Sequence, residues 1–109
     1  MENMTLREVC NTLGVTRRAV QGYEKAGLVV ASSRNERGYL LYDTKTQARI
    51  RTIKLYQRFG FKIVEIKRLI DAPREVVKEA LEVQVEWLKQ ERESIDDLIV
   101  LANEIIQSI

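Results

Sequence analysis

Thr5-Leu6-Arg7-Glu8-Val9-Cys10, followed after two polar residues by Leu13-Gly14-Val15-Thr16-Arg17-Arg18-Ala19-Val20-Gln21-Gly22-Tyr23-Glu24, reads as two short helices meeting at a glycine. Thr5 with Glu8 three residues later has the form of a capping box, in which each side chain satisfies a backbone N–H at the helix start. Gly14 supplies the permissive backbone of a tight turn, and Thr16 is placed to cap the second helix. Apolar Leu6, Val9, Cys10, Leu13, Val15, Ala19 and Val20 then fall on facing sides. Thr16, Arg17, Arg18 and Gln21 are left outward, at the helix start where a helix-turn-helix meets base edges. The plainer alternative is an ordinary helical hairpin whose arginines are simply solvated.

The text that follows favours the first reading. Leu28-Val29-Val30, the polar cluster Ser32-Ser33-Arg34-Asn35-Glu36-Arg37-Gly38 and Tyr39-Leu40-Leu41-Tyr42 together predict a small hairpin. A hairpin directly behind a helix-turn-helix is a wing. From Asp43, a good N-cap, a helical pattern runs to Phe59 with Ile50, Ile53, Tyr56 and Leu55 on its inner side, and Gly60 ends it. Phe61 to Ile70 reads as a second short helix carrying Ile63, Ile66, Leu69 and Ile70. Asp71-Ala72-Pro73 breaks the chain before its final segment.

In order and in residues this chain resembles the MerR family of bacterial transcription regulators. Gly14-Val15-Thr16, Arg18, Tyr23-Glu24, Gly27-Leu28, Arg34, Gly38-Tyr39, Tyr42 and Gly60-Phe61 followed by Glu65-Ile66 carry the resemblance. None is diagnostic alone; their joint spacing is specific and covers nearly the whole chain. The resemblance implies that the second helix enters the major groove, that the wing touches backbone and minor groove, and that the helices after the wing add phosphate contacts. It implies Arg18, Tyr23, Arg34 and Tyr39 as DNA contacts, and Thr16, Arg17, Gln21 and Arg37 join them as candidates. Three departures stand out: Gln21-Gly22 where the family usually writes Arg followed by Tyr or Phe, and Leu40 where it usually writes Arg. Gln21 can still pair with adenine through two hydrogen bonds, so it alters base preference more than affinity. Leu40 cannot replace an arginine. Gly22 inside a helix costs roughly 1 kcal/mol relative to alanine, which points either to close approach of DNA backbone or to drift.

Charge supports nucleic-acid binding without any resemblance. Residues 1–73 hold 14 Lys and Arg against 7 Asp and Glu, a net +7, whereas residues 74–109 hold 4 against 9, a net −5. The whole-chain +2 conceals this split. A basic half beside an acidic half is expected when the first lies on phosphates and the second stays away from them.

The acidic half reads as one long helix. Leu81, Leu88, Ile95, Ala102 and Ile109 repeat every seven residues, and the alternate seam runs Gln84, Glu91, Leu98, Ile105. At 1.5 Å per residue the segment from Arg74 to Ile109 reaches roughly 50 Å, too long to fold back on so small a domain. A second copy is therefore the expected partner, with Leu81, Leu88, Ile95, Leu98, Ala102, Ile105 and Ile109 as dimerisation residues. The resemblance implies an antiparallel coil with Leu81 toward the other chain's C-terminal end. Gln84 and Glu91 are either register devices or residues facing the chain's own head.

Other function classes find little footing. No apolar run approaches the roughly 20 residues of a membrane span, and Met1-Glu2-Asn3-Met4 is too polar for a secretory signal, so a cytoplasmic protein without membrane contact is expected. The sequence has no histidine and one cysteine, Cys10, which reads as a small core residue rather than a redox sensor. No metal site is expected within one chain, although paired Cys10 side chains of a dimer stay open. No nucleophilic triad, phosphate-cradling glycine loop or carboxylate pair is present, so neither catalysis nor a cofactor is expected. The coil pattern is still running at Ile109 and no sensor is evident in it, as expected of a chain cut short, of a constitutive or partner-controlled protein, or of one that binds a small ligand. A small ligand at a joint lined by Tyr56, Phe59, Phe61 and Trp87 is one form of control, and an aromatic core cluster is the alternative reading of those rings.

The fold class is thus mainly α: a winged helix-turn-helix head over residues 1–72 and, over residues 73–109, a long helix forming an antiparallel coiled coil in a dimer. The function read from this is a sequence-specific regulator on a pseudo-palindromic promoter operator, with double-stranded DNA, a second copy and RNA polymerase as partners. Two alternatives remain open at this point. One is an architectural or excision accessory protein of a mobile element. The other is a coiled-coil adaptor whose DNA face has decayed.

Overall fold

The computed structural model describes residues 3–109, so the reading of Met1 and Glu2 as part of a polar start lies outside the described residues. The chain divides into two compact units, Met1–Asp71 and Ala72–Ile109.

The first unit begins with β1 (Met4–Thr5), α1 (Leu6–Leu13) and α2 (Arg17–Lys25). Both helix starts are fixed by short-range chemistry. Thr5 Oγ1 accepts from the Glu8 N–H at 3.3 Å while Glu8 Oε1 accepts from the Thr5 N–H at 2.9 Å. Thr16 Oγ1 accepts from the Ala19 N–H at 3.0 Å. Between them Gly14 stands at φ 66°, a left-handed conformation that ends α1 and that a side chain would strain. The Lys54 ammonium donates to the Gly14 carbonyl from across the unit, tying the turn to the third helix.

The wing follows as β2 (Ser33–Arg34) and β3 (Leu40–Tyr42), and all three strands form an antiparallel sheet in the order β1-β3-β2. Here the structure differs from the sequence expectation. Leu28-Val29-Val30 is not a strand: Leu28 and Val29 are core residues, the Leu28 N–H donates to Tyr23 O at 2.9 Å, and the Leu28 carbonyl accepts from Arg49 Nε. The run is a connection drawn into the core, and the strand forms five residues later. β1 was not anticipated; it pairs Met4 with Tyr42 and Thr5 with Leu41.

Asp43 caps α3 (Thr44–Arg58) through a 2.8 Å bond from the Thr46 N–H to Oδ1. That bond draws the Asp43 pKa below the usual carboxylate range. Ile50 and Ile53 are fully buried on α3, whereas Leu55, expected on the inner side, is 44% exposed. α4 (Ile63–Leu69) starts two residues later than expected, because Phe61 lies in the core and Lys62 is the N-cap residue, its N–H bonded to Glu65 Oε1. The core joins Val9, Val20, Tyr42, Ile50, Ile53 and Ile66 from five elements, all fully buried. Tyr56, Phe59 and Phe61 cluster beside it, with ring centroids 5.9–6.2 Å apart. Arg49 closes the unit, its two terminal nitrogens 2.9 and 3.0 Å from the Asp71 carboxylate, which holds the Asp71 pKa below its ordinary value.

The second unit is α5 (Arg74–Ser108), which follows Pro73 at its N-cap. A proline is tolerated there because the first N–H groups of a helix have no partner within it. No residue of α5 is buried.

Candidate nucleic-acid interface

α2 lies with Val20 and Tyr23 in the core, an i, i+3 pair on one face, and this rotation decides what it presents outward. Thr16, Arg17, Arg18, Gln21 and Gly22 are all exposed. Neither Arg17 nor Arg18 has an ion-pair or hydrogen-bond partner among the described residues, the ion pairs there being Arg49–Asp71 and Lys89–Glu86. Exposed guanidiniums without partners at a helix start are available for phosphates or for the O6 and N7 of guanine. Gln21, one turn further along, adds a donor and an acceptor.

Tyr23, expected as a DNA contact, is placed differently. Its ring is 3% exposed and its hydroxyl donates to Gln57 Oε1 at 2.6 Å, so it fastens α2 to α3. Burial raises the Tyr23 pKa, which keeps the hydroxyl a donor. Tyr42 forms the matching tie, donating to Glu24 Oε1 at 2.7 Å, with its own pKa raised by burial and by that carboxylate. The signal for Tyr23 was present in the sequence, since it lies three residues after Val20 on the apolar face.

The wing tip is built by Asn35. Its Oδ1 accepts from the N–H groups of Arg37 and Tyr39 at 2.9 and 3.0 Å, while its own N–H donates to Tyr39 O at 2.9 Å. Gly38 sits at φ 81°, which the turn requires. Arg34 donates from a terminal nitrogen to the Gly38 carbonyl at 2.6 Å and so braces the loop. Arg37 and Tyr39 stay exposed, Tyr39 at 56%. The structure therefore brings Thr16, Arg17, Arg18 and Gln21 to one helix and Arg34, Arg37 and Tyr39 to the wing. It also sets Arg17 and Tyr39 around a shared concavity with Arg7, which sequence reasoning left out.

Along α5, Leu88, Ile95, Leu98, Ala102, Ile105 and Ile109 are exposed and Leu81 is half-buried. Ile99, Leu101 and Ile106, each more than half exposed, widen the apolar stripe beyond the heptad seam toward the C-terminal end. Among the described residues no group of His, Cys, Asp and Glu is placed to hold a metal ion, and Cys10 is a half-buried free thiol. Nor is any described helix long and apolar enough to cross a membrane.

A capped helix pair, a three-stranded wing sheet and two further helices define a winged helix-turn-helix of regulatory type. The family model described as MerR HTH family regulatory protein matches residues 4–73, and the chain belongs to this family. Among its relatives, the HTH-type transcriptional activator mta of Bacillus subtilis (strain 168) is 28% identical over 104 residues, which are 95% of this chain and 40% of that protein. The chain thus spans about two fifths of that relative's length. A MerR-family transcriptional regulator from Bacillus cereus superposes with a TM-score of 0.79 at 27% identity, covering 94% of this chain and 79% of that one. The N-terminal part of the Bacillus subtilis Multidrug Transporter Activator, MtaN, gives 0.71 at 27% identity, covering 94% and 97%.

Proposed function

We propose that this chain is a sequence-specific, DNA-binding transcription regulator that acts as a homodimer. The observation that carries the reading is the set of exposed Arg17 and Arg18, unpartnered among the described residues, with Gln21 at the start of α2, beside a wing, in a chain of the MerR family. Each α2 enters one of two successive major grooves of a pseudo-palindromic operator, and the wing lies along the flanking backbone. The apolar seam of α5 joins two copies. Binding between promoter elements of unfavourable spacing, then bending and untwisting that DNA, would give RNA polymerase access to them, as the resemblance implies. The protein works in the cytoplasm, by binding and not by catalysis. The relative named above, a transcriptional activator, supports the regulatory part of this reading.

Selection of genomic fragments at several salt concentrations tests it. A promoter spacer is the expected fragment, with log affinity falling against log salt by about 0.9 for each phosphate neutralised. A recombination site would favour an architectural role instead, and a flat salt response removes the DNA reading.

A further inference from the structure

Between the start of α1, the start of α2 and the wing turn with the first residue of β3 lies a concavity of about 540 Å³, whose walls include Thr5, Leu6, Arg7, Arg17, Tyr39 and Leu40. The pairing of β1 with β3 makes it, because that ladder carries the first turn of α1 to the wing. Its chemistry is lopsided. Among the described residues two arginines line it and no carboxylate does. Glu8, the acid next to Arg7 in sequence, has its Oε1 engaged by the Thr5 N–H at 2.9 Å and by Thr5 Oγ1 at 3.1 Å. Arg7, like Arg17, has no hydrogen-bond or ion-pair partner among the described residues. The same lining includes half-buried Leu6 and Leu40 and the exposed Tyr39.

Two guanidiniums lining one concavity favour an anion with several oxygens, which can accept their forked donors. Leucine side chains and a tyrosine ring supply what a bare anion does not need, an apolar wall for the carbon skeleton attached to it. That combination fits a phosphodiester with its deoxyribose. We propose that this concavity seats one backbone phosphate of the duplex in each head, with Arg7 as a DNA contact contributed by the first helix. The inference rests on the DNA-binding reading given above. Arg18 and Gln21, the side chains suited to base edges, do not line the concavity. The site therefore fixes the position of the head on the backbone and carries no sequence information of its own.

The test uses the full chain, a selected duplex, and copies of that duplex in which single phosphates are replaced one at a time by uncharged methylphosphonates. One position in each half-site is expected to weaken wild-type binding by roughly fivefold when neutralised, and to leave the binding of Arg7→Gln unchanged. The salt slope of Arg7→Gln should be lower than wild type by about 0.9 for each head, with base preference retained. Arg7→Lys should restore the slope, which separates a lost charge from a disturbed fold. If wild type binds with a steep slope while Arg7→Gln gives the same slope and the same methylphosphonate profile, the phosphate seat is overturned and the DNA reading stands. A wild-type chain indifferent to salt removes both.

Discussion

The head and the long helix have nearly the same apolar share, 32 of residues 1–73 against 17 of residues 74–109, yet they use it in opposite ways. Every residue of the buried hydrophobic core lies between Val9 and Leu69, and α5 buries none. The difference is one of dimensionality. In the head, α1, α2, α3, α4 and the sheet close around Val9, Val20, Ile50, Ile53 and Ile66, so each apolar face finds another within the unit. A single helix cannot cover its own stripe. The head thus closes its core within one chain, and in the proposed dimer the stripe of α5 would be a surface whose stability depends on concentration.

The largest effect that would break this contrast comes from charging the stripe. Leu98→Asp with Ile105→Asp would bury unpaired carboxylates in a two-chain seam, and the dimer should weaken by at least about 100-fold. Sedimentation equilibrium at micromolar concentration reads this directly, and the melting of the head should change little. A wild-type chain that is already monomeric would show that the heptad residues serve something other than self-association.

Next in size is a core truncation. Ile53 is fully buried, and Ile53→Ala should destabilise the head by about 2–5 kcal/mol in urea unfolding. Ile99→Ala, at a position 53% exposed, should cost the head nothing measurable. Equal losses at the two positions would mean that the units do not unfold separately.

Arg18→Ala should come below these, weakening specific DNA binding by roughly 1–3 kcal/mol in titrations against a selected duplex, with the melting temperature unchanged. Gln21→Ala should relax base preference with a smaller loss of affinity. This sharpens the contrast from the functional side, since neither change should alter the dimer.

What was legible in the sequence was mostly local. Thr5 with Glu8, Gly14, Thr16 and Asp43 announce helix ends because a cap joins residues three or four apart, and each cap is formed by the bonds its spacing implies. Pairing between distant segments was not legible. Met4 with Tyr42 is a contact across 38 positions that no period encodes, and without it the place of Arg7 beside the wing could not be foreseen. Leu28-Val29 misled because an apolar run has the same text whether it forms a strand or a core connection. Tyr23 shows a different limit. The resemblance implied it as a DNA contact, and the helical period set by Val20 turns its ring into the core.

Acid should weaken the head, more gently than any of the core or seam changes. Glu8, Asp43 and Asp71 are held below their ordinary pKa by the Thr5, Thr46 and Arg49 bonds respectively. Their contribution to the head is complete above the unfolded values, near pH 4, and is lost as pH falls through the lowered folded values. Head melting should therefore fall in acid, as thermal melts from pH 6 to pH 3 would record. A head whose melting is unchanged over that range would mean that these three bonds contribute nothing measurable to its stability.

The smallest expected effect falls on Gly22, where local propensity and the family motif both disagree with the residue present. Gly22 lies inside α2, its φ is not positive, and a Cβ built there meets nothing within 4 Å. Alanine should therefore be accommodated without strain and should raise head stability by up to about 1 kcal/mol, through the lower helical cost and the narrower unfolded ensemble. The free space around Gly22 belongs to the protein alone, and a duplex lying across α2 would occupy it. If DNA backbone passes close to this glycine, Gly22→Ala should bind a selected duplex more weakly even as its melting temperature rises. Unchanged affinity would mark the glycine as drift. A lower melting temperature would contradict the helical placement itself. Paired thermal melts and duplex titrations of this one variant thus ask whether the head, self-sufficient in its folding, has given up some stability at α2 to let the DNA come near.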